Sequence, residues 1–110
     1  MFEKGTVVLV PFPFTDLSGT KVRPAVVVSH KLSGDDIIVA FISTKQSRRE
    51  KYDVPVVPNS SNGLKATSTV KCTKLATLDK KIILGKLGEL SKDDFSRVSQ
   101  KLKTLFGWQR

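Results

Sequence analysis

Ala25-Val26-Val27-Val28 is apolar at every position, a run too short to present a helical face. Three of its four residues are β-branched, which suits a strand buried on both sides in the interior of a sheet. Pro24 has no N–H to give a ladder and is tolerated at the first position of a strand, and it drives Arg23 into extended geometry. A guanidinium is therefore fixed at the mouth of the strand around which the rest of the chain must be arranged.

Lys31-Leu32-Ser33-Gly34-Asp35 carries turn chemistry, and Asp36-Ile37-Ile38-Val39-Ala40-Phe41-Ile42 is a second apolar strand, so the two strands predict an antiparallel hairpin. With the loop centred on Ser33, residue numbers paired across it sum to about 66. Arg23 then faces Ser43. Centring the loop half a residue later brings Thr44 opposite instead, and because a one-residue slip reverses every face, the sequence does not choose between them. Either register sets an arginine beside a hydroxyl.

A chain of 110 residues with 39% hydrophobic content supplies one core, which predicts a single domain over residues 1–110. The net charge of +9 points to polyanions: RNA, DNA, an acidic protein or an anionic membrane surface. Cys72 is the only cysteine, which excludes an intrachain disulfide and fits a reducing compartment. Residues 1–5 lack the apolar core of a signal peptide and no stretch approaches membrane-spanning length, so a cytoplasmic protein with no membrane partner is expected. One Cys and one His are too few soft ligands for a transition-metal site, and Gly19-Thr20-Lys21 lacks the setting of a phosphate loop. Neither metal nor cofactor is expected.

Along the chain, residues 6–10 read as the first strand. Pro11-Phe12-Pro13-Phe14 predicts its end, or an edge position, because two donors are missing. Residues 15–22 form a polar loop at Arg23's end of the sheet. Phe12 and Phe14 beside it suit base stacking, although core or dimer-contact phenylalanines are the commoner case. Lys45-Gln46-Ser47-Arg48-Arg49-Glu50-Lys51, at the same rim, is either a track for phosphates or an ordinary solvated loop. Residues 53–57, with Pro55, read as an edge strand and residues 58–64 as a loop of turn formers. A strand over 65–72, a connector over 77–81 and a last strand over 82–90 follow, with Gly85 and Gly88 allowing a bulge. Ser68 and Lys71 match the Ser-x-x-Lys spacing of acyl-transfer enzymes, but in a β-branched stretch rather than a helix they are not read that way. Ser91 is an N-cap for a helix carrying Phe95, Val98, Leu102 and Leu105 and ending near Gly107. These elements predict a mainly β barrel closed at one end by a C-terminal α-helix.

Gly5-Thr6-Val7-Val8-Leu9-Val10, Arg23-Pro24-Ala25-Val26-Val27-Val28, the Ile42-Ser43-Thr44 strand end, Gly63-Leu64, Val70-Lys71-Cys72, Thr77-Leu78-Asp79 and Leu84-Gly85-Lys86-Leu87, in this order and spacing, resemble the MazF/PemK group of toxin endoribonucleases. The resemblance covers residues 5–107. It implies a small SH3-like or CcdB-like barrel, commonly a homodimer, that cleaves single-stranded RNA at a short sequence without a metal, leaving 2′,3′-cyclic phosphate and 5′-hydroxyl ends. The implied partners are a small acidic antitoxin and, through the complex with it, operator DNA. Catalysis falls on Arg23, with Ser43 at the family's catalytic threonine position and Thr44 one place on. RNA contacts are expected from Phe14, Thr15, Asp16, Thr20 and Lys21 in the first loop, from Lys45, Arg48 and Arg49 in the second, and from Lys71 and Thr73 on either side of Cys72.

The chain departs from the family pattern in places. Serine replaces threonine at position 43, which keeps the hydroxyl donor. Lys71 and Thr73 stand where some relatives carry an arginine and an acid. The acidic and glutamine residues that many relatives place before Arg-Pro are missing, leaving Asp16 as the nearest carboxylate.

RNA carries its own nucleophile in the 2′-hydroxyl, so the protein has only to align that oxygen, stabilise the developing phosphorane charge and manage two protons. A guanidinium beside a hydroxyl serves the second task. Because a guanidinium holds its proton, Arg23 is read as charge stabiliser and as acid to the leaving oxygen rather than as base. His30, seven residues along an extended chain, falls roughly 23 Å away and reads as an ordinary loop-edge histidine. Without the resemblance, Arg23 would as readily cap the sheet in a salt bridge with Asp16. Two other readings stand beside the nuclease: a non-catalytic barrel that binds nucleic acid or antitoxin, suggested by the missing acid at Thr73, and a CcdB-like gyrase poison, suggested by Trp108, which otherwise anchors the helix end.

Overall fold

The computed structural model describes residues 2–12, 21–30, 32–44 and 49–108. Strands β1 (Thr6–Phe12), β2 (Lys21–Val27), β3 (Asp36–Ser43), β4 (Asp53–Val56), β5 (Ser68–Asp79) and β6 (Gly85–Glu89) form one sheet in the order β4-β5-β3-β2-β1-β6. Every pairing is antiparallel. A single 3₁₀ turn (Lys80–Ile82) precedes β6, and helix α1 (Lys92–Phe106) follows it. The sheet is curled into a half-barrel: the segment after β4 returns to β6, where Glu89 N donates to Ser61 O at 2.8 Å. The architecture is thus mainly β with one C-terminal helix. Among the described residues, no helix is long and apolar enough to cross a membrane.

Alternation along the strands divides the apolar side chains between two clusters. On the side of α1, Val7, Val26, Ala40, Ile42 and Val70 pack with Val98 of the helix. On the other side, Val8, Val10, Ala25, Val27, Val39 and Phe41 form a second buried group. The helix is placed by its caps. The Ser91 hydroxyl accepts from Asp94 N at 3.1 Å, and Gly107 takes φ +74°, a left-handed conformation that costs a glycine little.

The β2–β3 hairpin pairs Ala25 with Phe41, Val26 with Ala40 and Val27 with Val39, numbers that sum to 66 in each case. Pro11 does not end β1, which runs on to Phe12 against β2, the edge position that the sequence reading left open. β6 reaches only from Thr6 to Leu9, so Pro11 lies where β1 is paired on one side, and a missing donor is tolerated there. Pro24 is the fourth residue of β2 rather than its first. The β2–β3 ladder runs no further than Ala25, one residue short of the proline. β5 is one strand of 12 residues, not a strand and a connector. Its pairing with β3 shifts between Ala40, opposite Leu75, and Ile42, opposite Val70, so residues 71–74 bulge out of the ladder. The glycines of the last strand do accompany a bulge, at the shift between Val7 and Val8 in the β1–β6 pairing.

Candidate functional site

Arg23 pairs with Val10 on β1, in the same pleat phase as Ala25 and Val27, and is half-buried at the end of their apolar cluster. Ser43 shares the phase of Val39 and Phe41 and is likewise half-buried. Thr44, one residue on, is exposed and falls in the opposite phase. Ser43 is paired directly with Thr69 of β5, and Thr69 with Pro55 of β4. The polar end of this face therefore carries Arg23 on β2, Ser43 on β3 and Thr69 on β5. Thr69 is a member of this polar row that sequence reasoning misses, because nothing in its own stretch sets the β3–β5 register across the bulge.

Lys71, two residues along β5 in the same phase as Thr69, is held from below. Its Nζ donates to Asp53 Oδ2 at 2.9 Å, and the two residues are paired across β4 and β5. Only 3% of the Asp53 side chain is exposed, and the same Oδ2 accepts from Glu50 N at 2.8 Å. A second carboxylate, Glu50 Oε1, stands 3.7 Å from Lys71 Nζ and is 69% exposed. The hydrogen bond and charge of Asp53, with the charge of Glu50, raise the Lys71 pKa above its ordinary value, burial pulling the other way. Lys71 is thus an ion-paired cation rather than one projecting freely to solvent. Ser68 gives its hydroxyl to Ala66 O at 2.8 Å and Lys71 goes to Asp53, so the two do not form a nucleophile–base pair.

Cys72 points to the α1 side and is fully buried. Burial, with the charge of Asp53 adding to it and that of Lys101 opposing, pushes its thiol up to about 11, which makes it a packing residue rather than a nucleophile. Lys21, Arg49 and Thr73 are exposed, as is His30 beyond the end of β2. Phe14, Thr15, Asp16, Thr20, Lys45 and Arg48 lie outside the described residues. Trp108 stacks on Phe106 past the end of α1, ring centroids 4.9 Å apart. Among the described residues, no three His, Cys, Asp or Glu side chains gather as a metal ion would require.

A family model for PemK-like, MazF-like toxins of type II toxin-antitoxin systems matches residues 3–106. Among curated proteins, none matches the sequence. Solved structures share the fold. A MazE–MazF complex from Deinococcus radiodurans has 20% identity and a TM-score of 0.77, covering 97% of this chain and 96% of the other. The Mycobacterium tuberculosis toxin MazF-mt6 gives 20% identity and a TM-score of 0.74 over 93% of this chain and 96% of its own. A mycobacterial endoribonuclease in complex with its cognate antitoxin gives 23% and 0.72 over 97% and 96%.

Proposed function

Because the chain belongs to the PemK-like, MazF-like toxins of type II toxin-antitoxin systems, which are endoribonucleases, we propose that it cleaves single-stranded RNA at a short sequence and without a metal. The 2′-hydroxyl of the ribose attacks the adjacent phosphorus and gives its proton to solvent water, the 5′-oxygen leaves with a proton from Arg23 that solvent restores, and the ends are a 2′,3′-cyclic phosphate and a 5′-hydroxyl. Arg23 neutralises the charge that builds on the non-bridging oxygens and protonates the leaving oxygen. Ser43 donates a hydrogen bond to the same phosphate.

The observation that carries this reading is the β2–β3 register. Pairs summing to 66, if continued two residues past the last ladder bond, would bring Arg23 against Ser43 on one face with Thr44 on the other. That favours Ser43 over Thr44 as the working hydroxyl. Lys21 and Arg49, both exposed, add to the cationic surface that a polyanion meets on approach. The Deinococcus and mycobacterial neighbours were solved with MazE or a cognate antitoxin. By likeness to these complexes, and by its charge of +9, this toxin is neutralised by a small acidic antitoxin; the family resemblance adds a homodimer that reaches operator DNA through the antitoxin complex.

Incubating the purified protein with a long RNA in the presence of a chelator tests the chemistry. Fragments bearing cyclic phosphate and 5′-hydroxyl ends are expected. Intact RNA with the wild type, or equal cleavage by Arg23→Ala, overturns it. Tight, salt-sensitive binding without turnover would instead identify a binding barrel.

A further inference from the structure

Lys71 is gripped unequally by its two carboxylates. Asp53 is buried, hydrogen-bonded to Lys71 Nζ at 2.9 Å and itself fixed by Glu50 N. Glu50 Oε1, at 3.7 Å and 69% exposed, is outside hydrogen-bonding range and held by little more than a screened charge. Asp53 therefore sets where the ammonium sits, and Glu50 occupies a side of it open to exchange. The Lys71 side chain keeps 17% of its surface exposed, so an anion has a way in. One cation facing two anions also makes this a locally acidic corner on a chain that is otherwise strongly basic.

The corner lies beside the proposed cleavage site. Lys71 is two residues along β5 from Thr69, about 7 Å in an extended strand, and Thr69 is the direct cross-strand partner of Ser43. Thr69 and Lys71 share one pleat phase. We infer that Lys71 is a second phosphate subsite for single-stranded RNA, filled in the free protein by the Glu50 carboxylate and taken over on binding by a phosphate neighbouring the scissile one. A phosphodiester arriving on a strand already held at Arg23 and Ser43 is at high effective concentration, and it replaces Glu50 at Lys71 while Asp53 stays in place. Glu50 thereby lowers affinity for polyanions in general and disfavours short anions that lack a second point of attachment. This inference rests on the RNA-cleaving reading for its ligand, but not on turnover.

The test is binding of a mixed-sequence single-stranded RNA carrying 2′-fluoro riboses, which cannot be cleaved by 2′-hydroxyl attack, followed by fluorescence anisotropy over a range of salt. Glu50→Gln, an exposed and nearly isosteric change, is expected to bind about two- to fivefold tighter. Its log–log salt slope should steepen by up to about 0.7, because the carboxylate displaced in the wild type takes up a counterion that the variant does not. In the paired variant Asp53→Asn/Lys71→Met, which removes the buried charge together with its partner, adding Glu50→Gln should bring no gain. An unchanged or weaker Glu50→Gln complex overturns the inference. So does a gain that persists without Lys71, which would mark general repulsion, or no binding of the RNA at all. Cleavage by the wild type with no Glu50 effect would sink only this inference, and a Glu50 effect without cleavage would sink only the nuclease.

Discussion

The two faces of the sheet are built from the same alternating strands and finished in opposite ways. On the α1 side the aliphatic rows of β1, β2, β3 and β5 are covered by Val98 and Leu90, and the curl is closed by backbone fitted against backbone. A Cβ added at Gly88 would lie 2.1 Å from Ser61 O, and one at Gly63 would lie 2.3 Å from Leu87 O. Asn62 between them is fully buried, its Nδ2 donating to Val57 O at 3.0 Å and its Oδ1 accepting from Leu64 N at 3.0 Å. The opposite face begins equally aliphatic, with Val27 beside Val39 and Ala25 beside Phe41. One pleat repeat later it turns polar, at Arg23, Ser43 and Thr69. Burying such groups without partners would cost stability. They stand instead where the β2–β3 ladder stops, on strands made rigid by the apolar rows behind them. One face uses alternation to exclude water, and on the proposed function the other uses the same alternation to aim groups at a ligand.

If that division is real, activity and stability separate by face. The largest effect expected is on Arg23→Ala, where cleavage measured under single-turnover conditions should fall about 10²–10³-fold. Its stability, read from the melting curve, should fall by no more than about 1–2 kcal/mol, the cost of removing a half-buried side chain that is engaged in the fold. A strongly lowered melt would make Arg23 a structural cap and erase the contrast. Ser43→Ala should lose much of the same rate, while Thr44→Ala keeps it. The mirror experiment is Gly88→Ala. Because the obstructing atoms are backbone, they yield only by shifting the 57–64 segment or β6, and about 2–3 kcal/mol of stability should be lost. The fraction that remains folded should cleave at the wild-type rate.

The polar face is more legible in the sequence than the closure of the other. The hairpin of β2 and β3 joins two apolar runs through a short turn, so burial and loop length together constrain its register, and that alone matches Arg23 to a hydroxyl. What burial does not decide is Ser43 against Thr44, since a half-residue change in the loop moves one for the other. The contacts of Lys71 are hidden for a different reason. Asp53 is 18 positions away, and nothing local to either residue reports that β4 and β5 pair. Seen alone, Lys71 reads as a free cation. Gly88 offers a partial signal, a glycine inside a strand, which fits a bulge but does not reveal that Ser61 O lies against it. The middle of β5 misleads because exposed Thr73 and Lys74 break the alternation just where the strand bulges.

The buried thiol sharpens the contrast from the apolar side. Cys72 ionises near 9.0 in an unfolded chain and is pushed up to about 11 in the fold by burial. Between those values the unfolded state gives up a proton that the folded state keeps, so stability must fall as pH rises. The loss should start near pH 9 and reach on the order of 2 kcal/mol by pH 11. Lys71 acts in the same direction but later. Its pKa is raised above 10.5, so its contribution is complete below that value and disappears only as pH climbs through the raised one. Urea midpoints taken from pH 7 to 11 should therefore be level and then decline, and the early part of the decline should vanish in Cys72→Ala. Within the folded range, the wild-type thiol should resist a disulfide reagent until the protein is unfolded. Rapid labelling at pH 8 would show that the α1 side opens, and that the two faces are not distinguished by closure.

The smallest effect tests whether α1 serves the apolar face alone. The Ser91 hydroxyl satisfies Asp94 N at the first turn, a donor with no carbonyl to reach within the helix. Ser91→Ala should cost about 1 kcal/mol, seen as a melting temperature lower by several degrees. α1 contacts the sheet through β4 and β5, and β5 also carries Thr69 and Lys71, so the helix is not remote from the polar face by connectivity. A cap mutant that melts earlier yet cleaves RNA at an unchanged rate, at a temperature where it is folded, would mean that β5 holds the position of Thr69 through its strand partners. A rate loss larger than the unfolded fraction would mean that the loosened helix lets β5 shift, and the polar row would then depend on packing beneath the sheet as well as on the ladders within it.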